Sequence, residues 1–199
     1  MPRFPRAPPA ALRPPRTRPR KTTGIITRTT DKSSPATVTA QLFIDMLLLL
    51  LAANGAPVLG HFFFGRRGDL PLDGGRMLRD GHPLFGTSKT WRGLLLGIVT
   101  CGAAAMALGY GLRFGLVFGA LSMAGDLLSS FTKRRLGLES GARSTALDQL
   151  PEALLPAVFA ALALPLHWWW PPLLAFAFML ADMVISLPLY WLRIRRNPY

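Results

Sequence analysis

Residues 93–131 read GLLLGIVTCGAAAMALGYGLRFGLVFGALSMAGDLLSSF. This stretch is almost wholly apolar, and Arg113 interrupts it near its middle. A helix needs about 20 mostly apolar residues to cross a bilayer, and the stretch holds two runs of roughly that length. We therefore predict two transmembrane helices, over about 93–110 and 114–131, joined by a short turn at Arg113.

Similar apolar runs lie on both sides of this pair. Residues 40–60 form a run that Asn54 and Pro57 interrupt, and further runs cover 152–168 and 173–189. The chain has 199 residues, a length that suggests one domain, and 50% of them are apolar. The sequence therefore predicts an all-α, polytopic membrane protein with about five transmembrane helices and two polar cytoplasmic loops.

The first 38 residues differ in composition from the rest of the chain. They are rich in proline, arginine and threonine, and nine basic residues there accompany one acid, Asp31. Such a segment cannot bury enough apolar surface to fold, so we predict a disordered basic tail over 1–38 and a transmembrane domain over 39–199. A signal peptide at 47–53 is a competing interpretation, and the long preceding tail favours a retained helix.

The other basic residues lie mostly on one side of the predicted helices. Two loops, about 61–92 and 132–151, lie on the same side as the C-terminus. These three segments together hold 13 of the 23 lysines and arginines. Basic loops stay on the cytoplasmic side, which predicts a multi-pass protein of the cell inner (plasma) membrane with both loops cytoplasmic. The net charge of +13 follows from this placement and does not indicate nucleic-acid binding. An odd helix count leaves the basic tail outside, unless the true start lies downstream, for example at Val38.

Residues 125–135, GDLLSSFTKRR, place charged groups at the cytoplasmic end of the third predicted helix. Asp126, Ser130 and Lys133 share one helix face, because they are spaced four and three residues apart. An acid at the centre of a span costs about 2.5–3.5 kcal/mol on insertion scales, so Asp126 needs a metal, a cation or water as its partner. A structural pair between Asp126 and Lys133, or a hydrated helix end, also explains the motif.

Residues 148–152, DQLPE, place two more acids at the start of the fourth predicted helix. Proline suits a first helical turn, and acids there are stabilised by the helix dipole, which alone explains Glu152. An N-cap role likewise explains Asp148. Yet Asp126 and Asp148 lie at the same membrane face with a basic loop between them. Carboxylates that bind Mg²⁺ beside cations that neutralise phosphates are what a metal–triphosphate ligand needs.

Residues 88–93, SKTWRG, begin the second predicted helix. A lysine, a threonine and an arginine at a helix N-terminus can bind an anion, while interfacial anchoring by Lys89, Trp91 and Arg92 is the alternative. The segment is not a P-loop, because the first glycine is missing at the required spacing. A single cysteine, Cys101, excludes an intrachain disulfide and a cysteine metal cluster, and fits a packing role.

Two intramembrane acids, Asp45 and Asp182, have no partner motif in the sequence. The glycines at 93, 97, 111, 115 and 119 recur every four residues within two groups, which favours close packing of helix backbones. The three histidines form no zinc pattern. None of these features by itself indicates a ligand.

Three separated segments together resemble the CDP-archaeol synthase family, distant relatives of the bacterial phosphatidate cytidylyltransferases. They are KTWRG at 89–93, GDLLSSFTKRRLG at 125–137 and LDQL at 147–150, and the resemblance covers about 41–191. It implies a few transmembrane helices with a cytosolic active site, and transfer of CMP from CTP to a lipid phosphate with release of pyrophosphate. It implies Mg²⁺ as cofactor and CTP and a lipid phosphate as partners, and leaves homo-oligomerisation open.

The resemblance also implies roles for particular residues. The expected catalytic residues are Lys89, Asp126, Lys133 and Asp148. The expected metal ligands are Asp126, Asp148 and Glu152, and the expected substrate-binding residues are Thr90, Arg92, Ser130 and Arg134. The phosphatidate enzymes carry a second aspartate where this chain has Pro151, and Glu152 follows one residue later. The alternative function is a small membrane transporter or an anion-binding membrane protein without enzymatic activity.

Overall fold

The computed structural model describes residues 35–65, 68–138, 145–164 and 166–191. They form five helices: α1 Pro35–Phe64, α2 Trp91–Ala107, α3 Leu112–Arg135, α4 Thr145–Ala163 and α5 Trp170–Trp191. These ranges contain two isolated β-bridges and no strand, so the all-α prediction is confirmed. Residues 1–34 of the predicted tail lie outside the described residues, and α1 begins at Pro35, so the tail stays a prediction.

The helices match the predicted apolar runs, but several begin or end elsewhere. Helix α3 continues past residue 131 to Arg135, and α4 begins at Thr145 and ends at Ala163, not at 152 and 168. Backbone hydrogen bonds of a helix do not require apolar side chains. The helices therefore extend into polar residues that a hydropathy pattern assigns to loops, and these extensions carry the charged motifs.

Three of the described helices contain a segment long and apolar enough to cross a membrane: Thr39–Phe64, Leu112–Arg135 and Trp170–Pro188. Helix α2, with 17 residues, is a shorter apolar helix. Helix α4 carries Asp148, Gln149 and Glu152 in its first turns and is not among the three. The polytopic architecture is supported, and the count of about five spans stays a prediction.

Consecutive helices pack antiparallel, and α3 lies between α2 and α4. Helix α1 packs against α2 and contacts α3 and α5, while α5 packs against α4. The buried core between the helices is apolar and includes Met46, Leu49, Leu50, Cys101, Phe118, Ala153, Ala157 and Phe178. Cys101 is thus a packing residue. We call the end of the bundle where α1 and α3 end and α2 and α4 begin the loop end.

Glycines bring α2 and α3 into backbone contact. A Cβ on Gly115 would lie 2.7 Å from the carbonyl oxygen of Cys101, and one on Gly119 would lie 2.8 Å from the Cβ of Cys101. At Gly97 a Cβ would meet a backbone oxygen of α1 at 2.7 Å. Only small residues permit such approaches, so the predicted packing role holds for these three. Gly111 differs, because it is the N-cap of α3 with φ +86° and faces open space.

The described part of the first polar loop, residues 68–90, folds back on itself at the loop end. The Leu72 N–H donates to the Lys89 carbonyl at 2.8 Å, and the Trp91 N–H donates to the Leu70 carbonyl at 3.1 Å. The beginning of the loop is therefore held against the residues that enter α2. This pairing fixes the backbone on either side of the Lys89 side chain.

Candidate active site

Two lysine–aspartate pairs lie at the loop end. The Nζ of Lys89 is 2.5 Å from each carboxylate oxygen of Asp126, and the Nζ of Lys133 is 2.6 Å from Oδ1 of Asp148. The first pair joins the residues before α2 to α3, and the second joins α3 to α4. The structure thus brings together the four residues predicted to be catalytic. The alternative of a structural pair between Asp126 and Lys133 is wrong, because Asp126 pairs with Lys89 and Lys133 pairs with Asp148.

Gly125 allows Asp126 to lie beside α4. A Cβ at this glycine would be 2.1 Å from the carbonyl oxygen of Pro151 and 2.6 Å from the Cα of Glu152. Real Cβ atoms do not approach backbone so closely, so only glycine fits where α3 crosses α4. The close crossing carries Asp126 to the first turns of α4, where the other two predicted metal ligands are.

Glu152 is a buried acid among other charged groups. It is 9% exposed, and the charges of Asp126, Lys89, Asp182 and Asp148 all act on its carboxyl group. Within the described ranges, no hydrogen bond or ion pair reaches this carboxylate. A buried carboxylate is costly unless a cation, a proton or a donor neutralises it. Burial of Glu152 therefore favours either a proton on its carboxyl group or a cation beside it.

Asp148 lies inside the first turn of α4, which begins at Thr145. It is therefore not the N-cap, and that alternative is corrected. The positive end of the helix dipole still stabilises a carboxylate in a first turn. Its ion pair with Lys133 adds a second stabilising contact, from α3.

Arg134 carries a buried guanidinium near the end of α3. It is 2% exposed, and among the described residues its Nε has no hydrogen-bond acceptor and no carboxylate pairs with it. The neighbouring Arg135 instead pairs with Asp80 and donates to the carbonyls of His82 and Pro83. A guanidinium matches the oxygens of phosphate, and a buried one needs an anion. Arg134 therefore has the properties of a ligand-binding residue.

The other three predicted substrate-binding residues contact the protein itself. Thr90 is the N-cap of α2, and its Oγ1 accepts from the Gly93 N–H at 3.2 Å. The Nη2 of Arg92 lies 2.6 Å from Oδ1 of Asp69, and Ser130 is buried in α3. These contacts explain the local structure without a ligand. Their roles in substrate binding stay predictions.

Sequence reasoning gave no role to two residues that the structure joins. The Nε2 of Gln149 donates to Oδ2 of Asp182 at 2.8 Å and thereby links α4 to α5. Counting residues away from the turn between these antiparallel helices would have placed both residues near the loop end. Asp45, the other acid without a motif, accepts from the Tyr110 hydroxyl and from Gln41 Nε2 at the opposite end.

Asp73 organises the first loop, although the sequence indicated no role for it. Its carboxylate accepts from the backbone N–H groups of Gly75, Phe85 and Gly86 at 2.9–3.0 Å. Burial alone would raise the pKa of Asp73, but these three N–H groups hold that pKa below its usual range. The ionised carboxylate therefore fixes the loop that presents Lys89.

The carboxylate groups at the loop end are of the chemical type that binds a divalent cation such as Mg²⁺. Asp126, Asp148 and Glu152 offer carboxylate oxygens, the ligands that Mg²⁺ prefers. Within the part of the chain that the structure describes, no three His, Cys, Asp or Glu side chains converge closely enough to hold a metal. Lys89 and Lys133 instead occupy the two aspartates. The described residues thus offer carboxylate oxygens near one another without forming a preassembled metal site.

Comparison with known proteins identifies one family. The family model described as CarS-like, CDP-archaeol synthase, matches residues 102–195. The CDP-archaeol synthase of Hyperthermus butylicus is 43% identical over 126 residues, which cover 56% of this chain and 68% of that protein. The one from Methanopyrus kandleri is 37% identical over 155 residues, covering 73% and 83%. The one from Aeropyrum pernix is 36% identical over 168 residues, covering 78% and 90%.

A solved structure agrees with these relatives. It is described as an intramembrane enzyme for archaeal membrane lipids biosynthesis, and it matches with a TM-score of 0.62 at 34% identity. The match covers 72% of this chain and 91% of that chain. The resemblance seen in the sequence is confirmed over most of the length of these relatives, and this chain belongs to the CDP-archaeol synthase family.

Proposed function

We propose that this protein transfers CMP from CTP to the phosphate of an ether-linked, archaeol-type lipid, with the charged groups of the loop end as its active site. Family membership makes the chain a CTP-dependent cytidylyltransferase that produces a CDP-activated lipid for membrane lipid biosynthesis. The observation that carries the choice of site is the two lysine–aspartate pairs, which gather phosphate-binding and metal-binding groups at one end of the bundle.

The reaction requires no nucleophile from the protein. An oxygen of the lipid phosphate attacks the α-phosphorus of CTP, a new P–O bond forms, and the bond to the β-phosphate oxygen breaks to release pyrophosphate. The attacking phosphate is already ionised at neutral pH, so no general base is needed. Catalysis therefore rests on positioning the two phosphates and on neutralising their charge.

Three cations of the loop end neutralise the phosphates. Lys89 and Lys133 are the cations of the two lysine–aspartate pairs, and Arg134 is buried without a described anionic partner. Two phosphate groups that approach each other repel strongly, since both are anionic. We assign Lys89, Lys133 and Arg134 to the triphosphate and the lipid phosphate, whose charges they screen as the phosphates meet.

Asp126, Asp148 and Glu152 are the residues that would hold Mg²⁺, which neutralises phosphate oxygens when bound. In the free protein, Lys89 and Lys133 already contact the two aspartates. Substrate phosphates and aspartates therefore compete for the same two lysines. We expect the nucleotide to draw the lysines away and so expose the carboxylates, which makes binding of CTP and Mg²⁺ mutually favourable.

The protein is membrane-embedded, and we place it in the plasma membrane with the loop end in the cytoplasm. The basic loops favour this orientation by the positive-inside rule. It also gives the charged groups access to cytosolic CTP. We expect the lipid phosphate to reach the same groups from the adjacent leaflet, with its headgroup near the end of α3.

The transporter alternative predicts acids spread along a pore. Within the described helices, Asp126, Asp148, Glu152 and Asp182 instead gather toward the loop end, and Asp45 lies apart from them with its own donors. A cluster at one end suits a reaction at the membrane surface. Together with the family assignment, this placement favours the enzyme.

A radiolabelled CTP assay tests the function. Purified full-length protein with Mg²⁺ is given archaeol-type, phosphatidic acid and isoprenoid phosphates, and we expect labelled CDP-lipid with the ether lipid. Asp126→Asn should lose most of the activity, whereas Asp45→Asn, a matched change at a buried acid far from the site, should retain it. No labelled lipid from any substrate, with folded protein, would contradict the function. Full activity of Asp126→Asn would contradict the site.

A further inference from the structure

Asp182 is an acid within α5 that the proposed reaction does not use. It lies in the apolar segment Trp170–Pro188, where an ionisable side chain is costly and usually has a functional reason. The Asp182 carboxylate accepts from Gln149 at 2.8 Å, and its charge acts on Glu152. Gln149 directly follows Asp148 in α4. Asp182 is therefore hydrogen-bonded to the sequence neighbour of one predicted metal ligand, Asp148, and interacts electrostatically with another, Glu152.

The side-chain amide of Gln149 makes a hydrogen bond through its Nε2 but not through its Oε1 among the described residues. Its side chain is 8% exposed, and none of the described residues donates a hydrogen bond to its Oε1. A buried amide oxygen without a donor is unfavourable, so another contact must fix this amide. The contact with the Asp182 carboxylate does so, because hydrogen bonds to a charged acceptor are stronger than those between neutral groups.

Two consecutive residues hold the first turn of α4 from different sides. Asp148 pairs with Lys133 of α3, and Gln149 bonds to Asp182 of α5. Consecutive side chains on a helix point about 100° apart, so the two contacts together fix the rotation of this turn about the helix axis. Glu152 is one turn further along the same helix, and the same rotation sets its direction.

We propose that Asp182 is a positioning residue of the active site, which acts through Gln149 to fix the rotation of the first turn of α4. This inference rests on the proposed function and gives α5 a role in the active site. Asp182 supplies a hydrogen-bond acceptor and touches neither substrate nor metal. Asp148 and Glu152 keep their directions toward the site only while Gln149 is held against α5.

Three variants and one control separate this role from its alternatives. Asp182→Asn keeps the shape and an acceptor oxygen, while Asp182→Leu and Gln149→Leu each remove the hydrogen bond. Tyr110→Phe is the matched control, because it removes an interhelical hydrogen bond to the buried acid Asp45 at the other end. The readouts on purified full-length protein are kcat, the KM for lipid phosphate, thermal stability, and Mn²⁺ binding by electron paramagnetic resonance with CTP present.

We expect both leucine variants to lose at least about tenfold in kcat and to bind Mn²⁺ several-fold more weakly, with the KM for lipid phosphate unchanged. Asp182→Asn should stay within about threefold of wild type in both measurements. Tyr110→Phe should lower thermal stability without changing kcat or Mn²⁺ binding.

Two outcomes would overturn the inference. Equal losses in Asp182→Asn and Asp182→Leu would show that the charge matters and not the hydrogen bond. Unchanged kcat and Mn²⁺ binding in both leucine variants would reduce the contact to packing. Failure of the wild type to make any CDP-lipid would contradict the proposed function instead, and Mn²⁺ binding would still test whether Asp182 positions the carboxylates.

Discussion

Lys89 and Lys133 each hold an aspartate that the proposed chemistry needs as a metal ligand. Unpaired charges at the end of a membrane helix would be costly, and the two pairs remove that cost in the free protein. The pairs also keep the four charged side chains in place before any ligand binds. Binding of a nucleotide then exchanges partners within a set of groups that is already assembled.

The two aspartates should behave as one unit. Asp126→Asn and Asp148→Asn each keep the shape of the side chain but remove a charged ligand, so each alone should lower kcat by at least about a hundredfold. The double variant should lose little more, because residues that act together are non-additive. Steady-state kinetics over a range of Mg²⁺ concentrations measures this. Multiplied losses in the double variant would show that the aspartates act independently.

Glu152→Gln tests the third member of that unit. A loss as large as that of Asp148→Asn would assign Glu152 to the metal, in the role of the aspartate that Pro151 replaces. An effect below about threefold would return Glu152 to stabilisation of the helix dipole. The same kinetic series decides between these results.

Arg134→Met should separate stability from activity. The guanidinium is buried without a described anionic partner, so an unbranched, uncharged methionine should raise or preserve the thermal midpoint. The kcat/KM for CTP should fall by about a hundredfold, because a phosphate contact is lost. Arg135→Met is the matched control, and it should lower the midpoint since Arg135 pairs with Asp80. Unchanged kinetics for Arg134→Met would remove Arg134 from the site.

Asp73 should make the first loop sensitive to acid. Its pKa in the folded protein is lower than in the unfolded chain, so it contributes stability above about pH 4, and this contribution is lost as the pH falls through the folded pKa. Hydrogen exchange at the amides of Phe85 and Gly86, corrected for intrinsic rates, should stay slow at neutral pH and accelerate below about pH 4. Asp73→Ala should show fast exchange at every pH. Protection that persists in Asp73→Ala would rule out this carboxylate as the anchor of the loop.

At the scale of helices, the crossing of α3 and α4 depends on one missing side chain. In Gly125→Ala the new methyl group would overlap the backbone at Pro151, and overpacking of this kind costs about 1–3 kcal/mol or more. The helices must move apart, so both the thermal midpoint and kcat should fall. Gly55→Ala is the control, because a Cβ there meets nothing within 4 Å. If both variants match the wild type, the two helices do not need this close contact.

The apolar runs predicted the helices because burial in a membrane requires them, but the runs could not locate the helix ends. Three short motifs predicted the residues of the candidate site. Their partners could not be predicted, because Asp126 pairs with Lys89, 37 residues away in the chain. Counting from the α4–α5 turn places Gln149 and Asp182 at similar depth, but whether their side chains face each other is settled by helix packing and not by spacing along the sequence.

At the scale of the whole molecule, the orientation in the membrane can be measured with single cysteines. Arg79→Cys lies in the exposed first loop, and Arg113→Cys lies at the opposite end of the bundle, also exposed. Cys101 is fully buried, so it adds little background. An impermeant thiol reagent outside intact cells should label position 113 and leave position 79 unlabelled until the membrane is opened. The reverse result would place the loop end outside the cell.

The two ion pairs also differ in when they can first form as the chain is made. Lys89 and Asp126 lie on either side of the α2–α3 hairpin, so that pair is complete before α4 has been synthesised. The pair between Lys133 and Asp148 requires the start of α4, and the contact of Gln149 with Asp182 requires α5. Each of these acids therefore has a partner that is already synthesised when its own helix enters the membrane. Neutralisation of Asp126 by Lys89 does not require α4 or α5.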